Sequence, residues 1–361
     1  MSHRQGSGNS LGYFNLARGL GMLLILLGHS TTPFLSITAP TDRLFSGAGS
    51  VFGGGMMAMF FFISGFCFFR RSPRKCLSIQ AKLLLLPYGI TATAILVTKF
   101  LLSILRRRPF GMHGGELLLT YLLGLNAEGG GTFLGFRVDS VSIFWFVLAL
   151  FGGWILYNGI LQLQSTRLQW ILICGCVILS YLLALISPVW PYCLPMMLLA
   201  VGYLAAGSQI RKHGLLDRNL PVWAWVLILS IALLSAAFGE VSIVTNTWKL
   251  GLLDVAGSFC AGFLLLRLYA RLVPHIRQNV LTRMVESIGF YSIWIVCLHA
   301  YEKCIFPWYR LRTLFPGSPA LCIVICFLGR LGIIYLLYLL VSMIYRKYRK
   351  IRLSSRIRID L

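Results

Sequence analysis

Apolar stretches of about span length recur along almost the whole chain, and short polar segments separate them. About 20 apolar residues in a helix cross a hydrocarbon layer about 30 Å thick. The pattern therefore predicts an all-α, polytopic integral membrane bundle of about ten transmembrane helices. We place these at residues 14–35, 50–69, 83–105, 142–161, 170–187, 192–208, 222–238, 250–270, 288–306 and 319–345.

One further apolar stretch, Glu116 to Leu125, is only about ten residues long and is flanked by glycines. That length favours an interfacial or re-entrant segment over a span, although a crossing stays open. The glycine content of residues 111–135 and their lack of a span-length apolar run favour a mobile loop, and the sequence leaves open whether this loop is a lid.

Composition supports a membrane protein and limits its partners. The 361 residues are 58% hydrophobic and 12% charged, and the net charge is +23. Because the basic residues lie in short loops instead of on one water-facing domain, we expect no nucleic acid partner. We divide the chain into one membrane domain, residues 1–350, and a basic cytoplasmic tail, residues 351–361.

The distribution of Lys and Arg predicts the orientation. If the N-terminus is cytoplasmic, 22 of these residues lie on the cytoplasmic side and nine on the opposite side. This split favours two cytoplasmic termini. The triplet Arg106 to Arg108 then lies outside, where it either snorkels to lipid phosphates or receives an anionic acceptor. We expect a multi-pass protein in contact with membrane lipids.

Two ionisable residues, Arg18 and His29, lie in the first predicted span. Eleven residues make about three helical turns, so both side chains leave the same face, roughly 16 Å apart along the axis. A titratable residue inside a membrane is costly, and a histidine is the usual general base for a hydroxyl. His29 is either such a base, with its ring held by Ser30, Thr31 or Thr32, or a buried histidine satisfied by a carbonyl.

The second span carries the aromatic run Phe60 to Phe66, which contains Ser64 and Gly65. Small residues there either let two helices pack closely or make room for a thin acyl chain. A basic run with Arg71 and Arg74 follows. It is either a positive-inside signal or a site for the phosphates of a nucleotide-bearing donor, which arginine forks suit.

The ninth span ends with His299 and Glu302, three residues apart and so neighbours on a helix. They form either a self-satisfied polar cluster or part of a site. Asp254 near the outer end of a span is either their partner or a surface charge. Most cysteines lie in apolar runs, and their spacing predicts no metal site.

Several segments together resemble the membrane-bound acyltransferase 3 family over about residues 12 to 306. The first span is similar to the family's Arg-x10-His motif, in Arg18 and His29. Further similar segments are Phe60-Phe-Phe-Ile-Ser64-Gly65-Phe, Arg71-Ser-Pro-Arg74, Trp145-Phe-Val-Leu-Ala-Leu and Ser287-Ile-Gly289-Phe-Tyr-Ser292 to His299, the last resembling the polysaccharide and fucose O-acetylase branch. One position departs: Asn15 stands where the family commonly has Asp, three residues before the arginine.

This resemblance implies a ten-helix enzyme in a bacterial inner membrane. It would move an acetyl group from cytoplasmic acetyl-CoA, its co-substrate, to a hydroxyl of an extracytoplasmic carbohydrate or glycolipid. His29 would be catalytic with Arg18 as its companion. Ser64, Arg71 and Arg74 would bind the donor, and we assign Trp145, His299 and Glu302 to the acceptor side.

Two other functions remain open at this stage. A transporter or flippase for an anionic or acylated glycan could use Lys99 and Arg330 to line a path, although the chain shows no repeat symmetry of the usual transporter kind. A sensor could bind a ligand in the same pocket without turnover.

Overall fold

The computed structural model describes residues 11–34, 42–107 and 110–357. Fourteen α-helices lie in these ranges: α1 Asn15–Thr31, α2 Asp42–Phe66, α3 Pro73–Gln80, α4 Leu86–Leu105, α5 Gly111–Leu123, α6 Phe144–Ile160, α7 Thr166–Ile186, α8 Leu194–Lys212, α9 Val222–Phe238, α10 Leu252–Leu272, α11 Val280–Phe290, α12 Ser292–Ile305, α13 Leu311–Leu314 and α14 Pro319–Ile357. Two antiparallel hairpins join strands β1 Asn126–Phe133 with β2 Phe136–Ser140, and β3 Val241–Ser242 with β4 Thr247–Trp248.

The predicted helical membrane fold is confirmed. In the described part of the chain, five helical segments are long and apolar enough to cross a membrane, or six if one bent pair is counted as a single span. Nine of the ten predicted spans each coincide with one helix, but several of these helices are shorter than the usual span length. The count of ten and the cytoplasmic placement of both termini stay predictions.

The ninth predicted span, residues 288–306, is not one helix. It is broken at Tyr291, and α11 and α12 meet at a bend of 78°. Packing explains the two directions: α11 lies along α1, whereas α12 packs against α4 and α14. At Gly289 a Cβ would collide with the Asn15 carbonyl oxygen, so only glycine permits this approach of α11 to α1.

The glycine-rich segment 111–135 is also not the loop expected. Its first half is helix α5, which ends at Gly124 in the left-handed conformation (φ 57°) that favours glycine at a helix C-terminus. Its second half belongs to the β1–β2 hairpin. Leu125, Val138 and Val189 form a small buried cluster beneath this hairpin. Glycine content alone did not reveal the helix and the hairpin in this segment.

Helix α8 lies at the centre of the bundle. Within the apolar stretch of α8, 72% of the residues are buried inside the protein. The corresponding share for α7 is 11%, so α7 is peripheral. Glycines let α8 approach α2 closely: a Cβ at Gly65 would strike the Leu204 backbone, and one at Gly207 would strike the Phe62 backbone. Small residues in the second span therefore serve helix packing.

The aromatic run of α2 divides between the core and a cavity. Phe61 and Phe62 are fully buried and pack against Tyr203 of α8, with ring centroids 5.6 and 5.7 Å away. Phe60 and Ser64 face the cavity instead. One helix thus anchors the core and forms a wall of the candidate site.

Candidate active site

A single cavity of about 1100 Å³ runs through the bundle between α1, α2, α6 and the α11–α12 bend. Its walls are mostly apolar, with a few convergent polar side chains. Apolar concave pockets of this kind, with few polar groups, are typical of ligand sites. Of the candidate residues predicted from the sequence, the cavity is lined by Arg18, His29, Ser64, Arg71 and Trp145.

Helix α1 supplies the two polar groups of the Arg-x10-His pattern, and both line the same cavity as expected. Arg18 is only 9% exposed. Its Nη2 donates a hydrogen bond to Ser292 Oγ (2.6 Å), and its Nη1 donates a longer one to Asn15 Oδ1 (3.4 Å). The main partner of this arginine thus comes from the first residue of α12, a contact between residues 274 positions apart.

The expected contacts of Ser30, Thr31 and Thr32 with the His29 ring are wrong. The Ser30 hydroxyl donates to the Leu26 carbonyl, and those of Thr31 and Thr32 donate to the Gly28 carbonyl. Such bonds to the preceding turn are the usual choice of Ser and Thr in helices. The neighbour of His29 is instead His299, with ring centroids 5.3 Å apart.

The other end of the cavity contains Arg71, whose backbone is clamped by α6. Asn158 Oδ1 accepts a hydrogen bond from the Arg71 amide (3.0 Å), and its Nδ2 donates to the Arg71 carbonyl (3.0 Å). Gln162 Nε2 donates to the same carbonyl. An asparagine in the last turn of an otherwise apolar helix is the sequence signal for this clamp, and Asn158 was not among the predicted site residues.

The remaining predicted donor residues differ in position. Ser64 is half-buried, and its hydroxyl donates to the Phe60 carbonyl of its own helix (3.1 Å). Arg74 lies on α3, is exposed, and is not among the cavity-lining residues. The structure therefore groups Arg71 with the cavity and leaves Arg74 at the surface.

His299 and Glu302 lie directly behind His29, and both are fully buried. His299 Nδ1 is 2.9 Å from Glu302 Oε2, which confirms that the two side chains meet. Glu302 also accepts hydrogen bonds from Arg330 of α14 and from the Trp308 indole. Neither His299 nor Glu302 lines the cavity itself.

Three other charged residues, Arg330, Lys99 and Asp254, do not line the cavity. Arg330, expected on a transport path, is paired with Glu302 at 3.3 Å instead, and Lys99 is not among the cavity-lining residues. Asp254 is buried and is neither a surface charge nor a partner of His299. Its carboxylate accepts hydrogen bonds from Ser235 Oγ and from the backbone amides of residues 240 and 250. Asp254 thus fastens the β3–β4 hairpin to α9 and α10.

No group of three or more possible metal ligands occurs among residues 11–34, 42–107 and 110–357. The polar groups described above are an arginine and a histidine on one helix, a second arginine at the far end of the cavity, and a buried His–Glu pair. Nothing in this donor set requires a metal for its geometry.

This arrangement defines a multi-pass membrane protein with a polar-tipped cavity inside an apolar bundle. Residues 11–339 match the acyltransferase domain family, and the chain belongs to that family. It is accordingly a membrane acyltransferase. No curated protein and no solved structure matches the chain.

Proposed function

We propose that the protein transfers an acetyl group from cytoplasmic acetyl-CoA to a hydroxyl of an extracytoplasmic carbohydrate or glycolipid. The observation that carries this proposal is that one cavity has Arg71 at one end and His29 at the other. A donor and an acceptor that enter from opposite sides of the membrane would meet inside such a cavity.

The donor end suits a CoA thioester. Guanidinium groups bind phosphate through paired N–H donors, and Arg71 offers one whose backbone is fixed by Asn158. Inward from it, the wall contains Cys67, Ser64 and Phe60. Apolar walls suit the thin pantetheine arm and the thioester. Arg18, held by Ser292, supplies a cationic donor to a carbonyl or phosphate oxygen along this path.

The acceptor end suits proton abstraction. The acceptor O–H bond breaks as its proton passes to the His29 ring, and the oxygen attacks the acetyl carbonyl carbon. The carbon–sulfur bond then breaks, and the CoA thiolate takes the proton from His29. General base catalysis of this kind contributes about 10²- to 10⁴-fold to a rate. Trp145 lines the cavity and provides a flat apolar face on which a sugar ring or an acyl chain can pack.

The test uses sealed inverted membrane vesicles, in which the cytoplasmic face is outside. Radiolabelled acetyl-CoA is added, and label in lumenal glycan or lipid is measured for wild type and His29→Ala at matched amounts of folded protein. We expect wild type to transfer label and His29→Ala to lose at least about 10²-fold of the rate. Succinyl-CoA in a parallel sample tests the choice of acyl group.

The matched control is His213→Ala. His213 is exposed after the end of α8, where it contacts Gln209, and it does not line the cavity. Its variant should transfer label like wild type. Full activity in His29→Ala would overturn the mechanism, and no acetyl-CoA-dependent label with any acceptor-containing membrane would overturn the proposed reaction.

A further inference from the structure

The buried side chains of His299 and Glu302, next to His29, make hydrogen bonds whose donors and acceptors can be assigned. Glu302 accepts from Arg330 Nη1 and Trp308 Nε1, two groups that can only donate. A carboxylate with these donors and a nearby guanidinium is ionised. The remaining contact, His299 Nδ1 at 2.9 Å, therefore carries a hydrogen that points to Glu302. The second ring nitrogen of His299, Nε2, is then left with a lone pair.

That lone pair has no partner. His299 is 0% exposed, and no described residue makes a hydrogen bond to its Nε2. Leaving a buried polar atom unpaired costs about 1–3 kcal/mol, so such an atom calls for an explanation. Its aromatic neighbour is His29, with ring centroids 5.3 Å apart and ring planes at 47°. His299 thus contacts Glu302 through Nδ1 and neighbours His29, which lines the cavity.

We propose that His299 is a positioning residue for His29: its Nε2 accepts an N–H hydrogen bond from the His29 ring nitrogen that faces away from the acceptor, and Glu302 fixes the His299 tautomer. This bond strengthens when His29 is protonated. This inference rests on the proposed function above. It assigns to His299 and Glu302 a role in the proton transfer and replaces their earlier assignment to the acceptor side.

The proposed step balances within the reaction already written. His29 gains the acceptor's proton and becomes a cation with N–H groups on both ring nitrogens. One N–H holds the proton that later goes to the CoA thiolate, and the other donates to His299 Nε2. No proton moves onto His299, which keeps its own hydrogen on Nδ1. A hydrogen bond from the charged imidazolium is stronger than one from the neutral ring, so a buried acceptor stabilises the protonated state more, which accelerates the chemical step without changing donor binding.

The arrangement also explains why Arg330 is tolerated so close to His29. An unpaired guanidinium would oppose a positive charge on the His29 ring. Arg330 is paired instead with Glu302 at 3.3 Å and lies over the Trp308 ring at 5.5 Å.

The test compares His299→Phe and His299→Gln with wild type in the inverted vesicles. Phenylalanine fills the space without an acceptor. Glutamine can still donate to Glu302 and accept from His29. We expect His299→Phe to lower the rate at saturating acetyl-CoA by about tenfold or more, and the half-saturating acetyl-CoA concentration to stay within about twofold. His299→Gln should recover part of the rate.

Rates of label transfer are divided by the amount of folded protein, and thermal unfolding of the detergent-purified protein checks that each variant is folded. His213→Phe is the matched histidine control. If His299→Phe does not accumulate, His299→Asn replaces it, because the shorter amide cannot reach both neighbours. A residue that served folding alone would change the amount of folded protein and leave the rate per molecule unaltered.

The outcomes separate the two proposals. Active wild type, inactive His29→Ala and slow His299→Phe support both. Active wild type and inactive His29→Ala with His299→Phe at the wild-type rate would overturn the role of His299 alone. A wild-type rate in His29→Ala, or no acetyl-CoA-dependent transfer by wild type, would overturn the proposed function and this inference with it.

Discussion

Replacement of Ser292 by alanine removes the strongest described contact of Arg18. The Ser292 hydroxyl is 2.6 Å from Arg18 Nη2, and Ser292 is only 4% exposed. A hydrogen bond to a charged group contributes about 1.5–3 kcal/mol. The acceptor that remains on the described residues, Asn15 Oδ1, lies at 3.4 Å, where a hydrogen bond is weak. The guanidinium in Ser292→Ala should therefore lose its fixed orientation in the cavity.

The Ser292→Ala substitution should mainly weaken the binding of acetyl-CoA, the acyl donor. At about 1.4 kcal/mol for each tenfold change, the lost bond corresponds to roughly 10- to 100-fold if Arg18 contacts the donor only in its present orientation. We expect the half-saturating acetyl-CoA concentration of Ser292→Ala to rise by at least about tenfold in inverted vesicles. Initial rates of label transfer at a series of acetyl-CoA concentrations measure it.

The matched control is Ser180→Ala. Ser180 is equally buried, and its hydroxyl donates to the Pro195 carbonyl at the same 2.6 Å, but it lies outside the cavity. Its loss should cost about 1 kcal/mol of stability and leave acetyl-CoA saturation as in wild type. If folded Ser292→Ala also saturated at the wild-type acetyl-CoA concentration, Arg18 would not depend on Ser292 for its function.

Two further predictions concern the walls of the cavity. Asn158→Ala removes two of the three side-chain hydrogen bonds to the Arg71 backbone and leaves the one from Gln162. It should raise the half-saturating acetyl-CoA concentration by about three- to tenfold, whereas an unchanged value would show that Arg71 holds its place without Asn158. Gly65→Ala forces a Cβ into the Leu204 backbone and should destabilise the protein by about 1–3 kcal/mol in thermal unfolding. Gly159→Ala has no atom within 4 Å of its Cβ, so it should leave the unfolding temperature unchanged or raise it, and equal behaviour of the two variants would contradict the close α2–α8 packing.

The helical bundle could be predicted because membrane insertion depends on local sequence. Nine of the ten predicted spans each coincide with one helix, since an apolar segment in lipid must satisfy its backbone hydrogen bonds internally. The same reasoning placed Arg18 and His29 on one face of α1, because helix periodicity alone determines which side chains share a face.

Hydropathy and helix periodicity could not predict contacts between helices that are far apart in the sequence. Helical spacing predicted that His299 and Glu302 meet, because they are three residues apart. Arg330 was expected to line a path only under the transporter alternative, and no sequence pattern pointed to Trp308. The side chains of Arg330 and Trp308 reach the Glu302 carboxylate only because α12 and α14 pack together. Ser292 and Arg18 are likewise far apart in the chain and meet through the bend after α11.

The sequence by itself therefore determined that the chain forms apolar helices, which residues share the inner face of α1, and which family it belongs to, since these follow from local hydropathy, helical spacing and short motifs. The tertiary structure alone decided that one cavity joins His29 to Arg71 and that His299 stands behind His29 with an unpaired nitrogen. The physical reason is that helix packing within a bundle depends on small residues and side-chain shape at each crossing, which hydropathy does not encode.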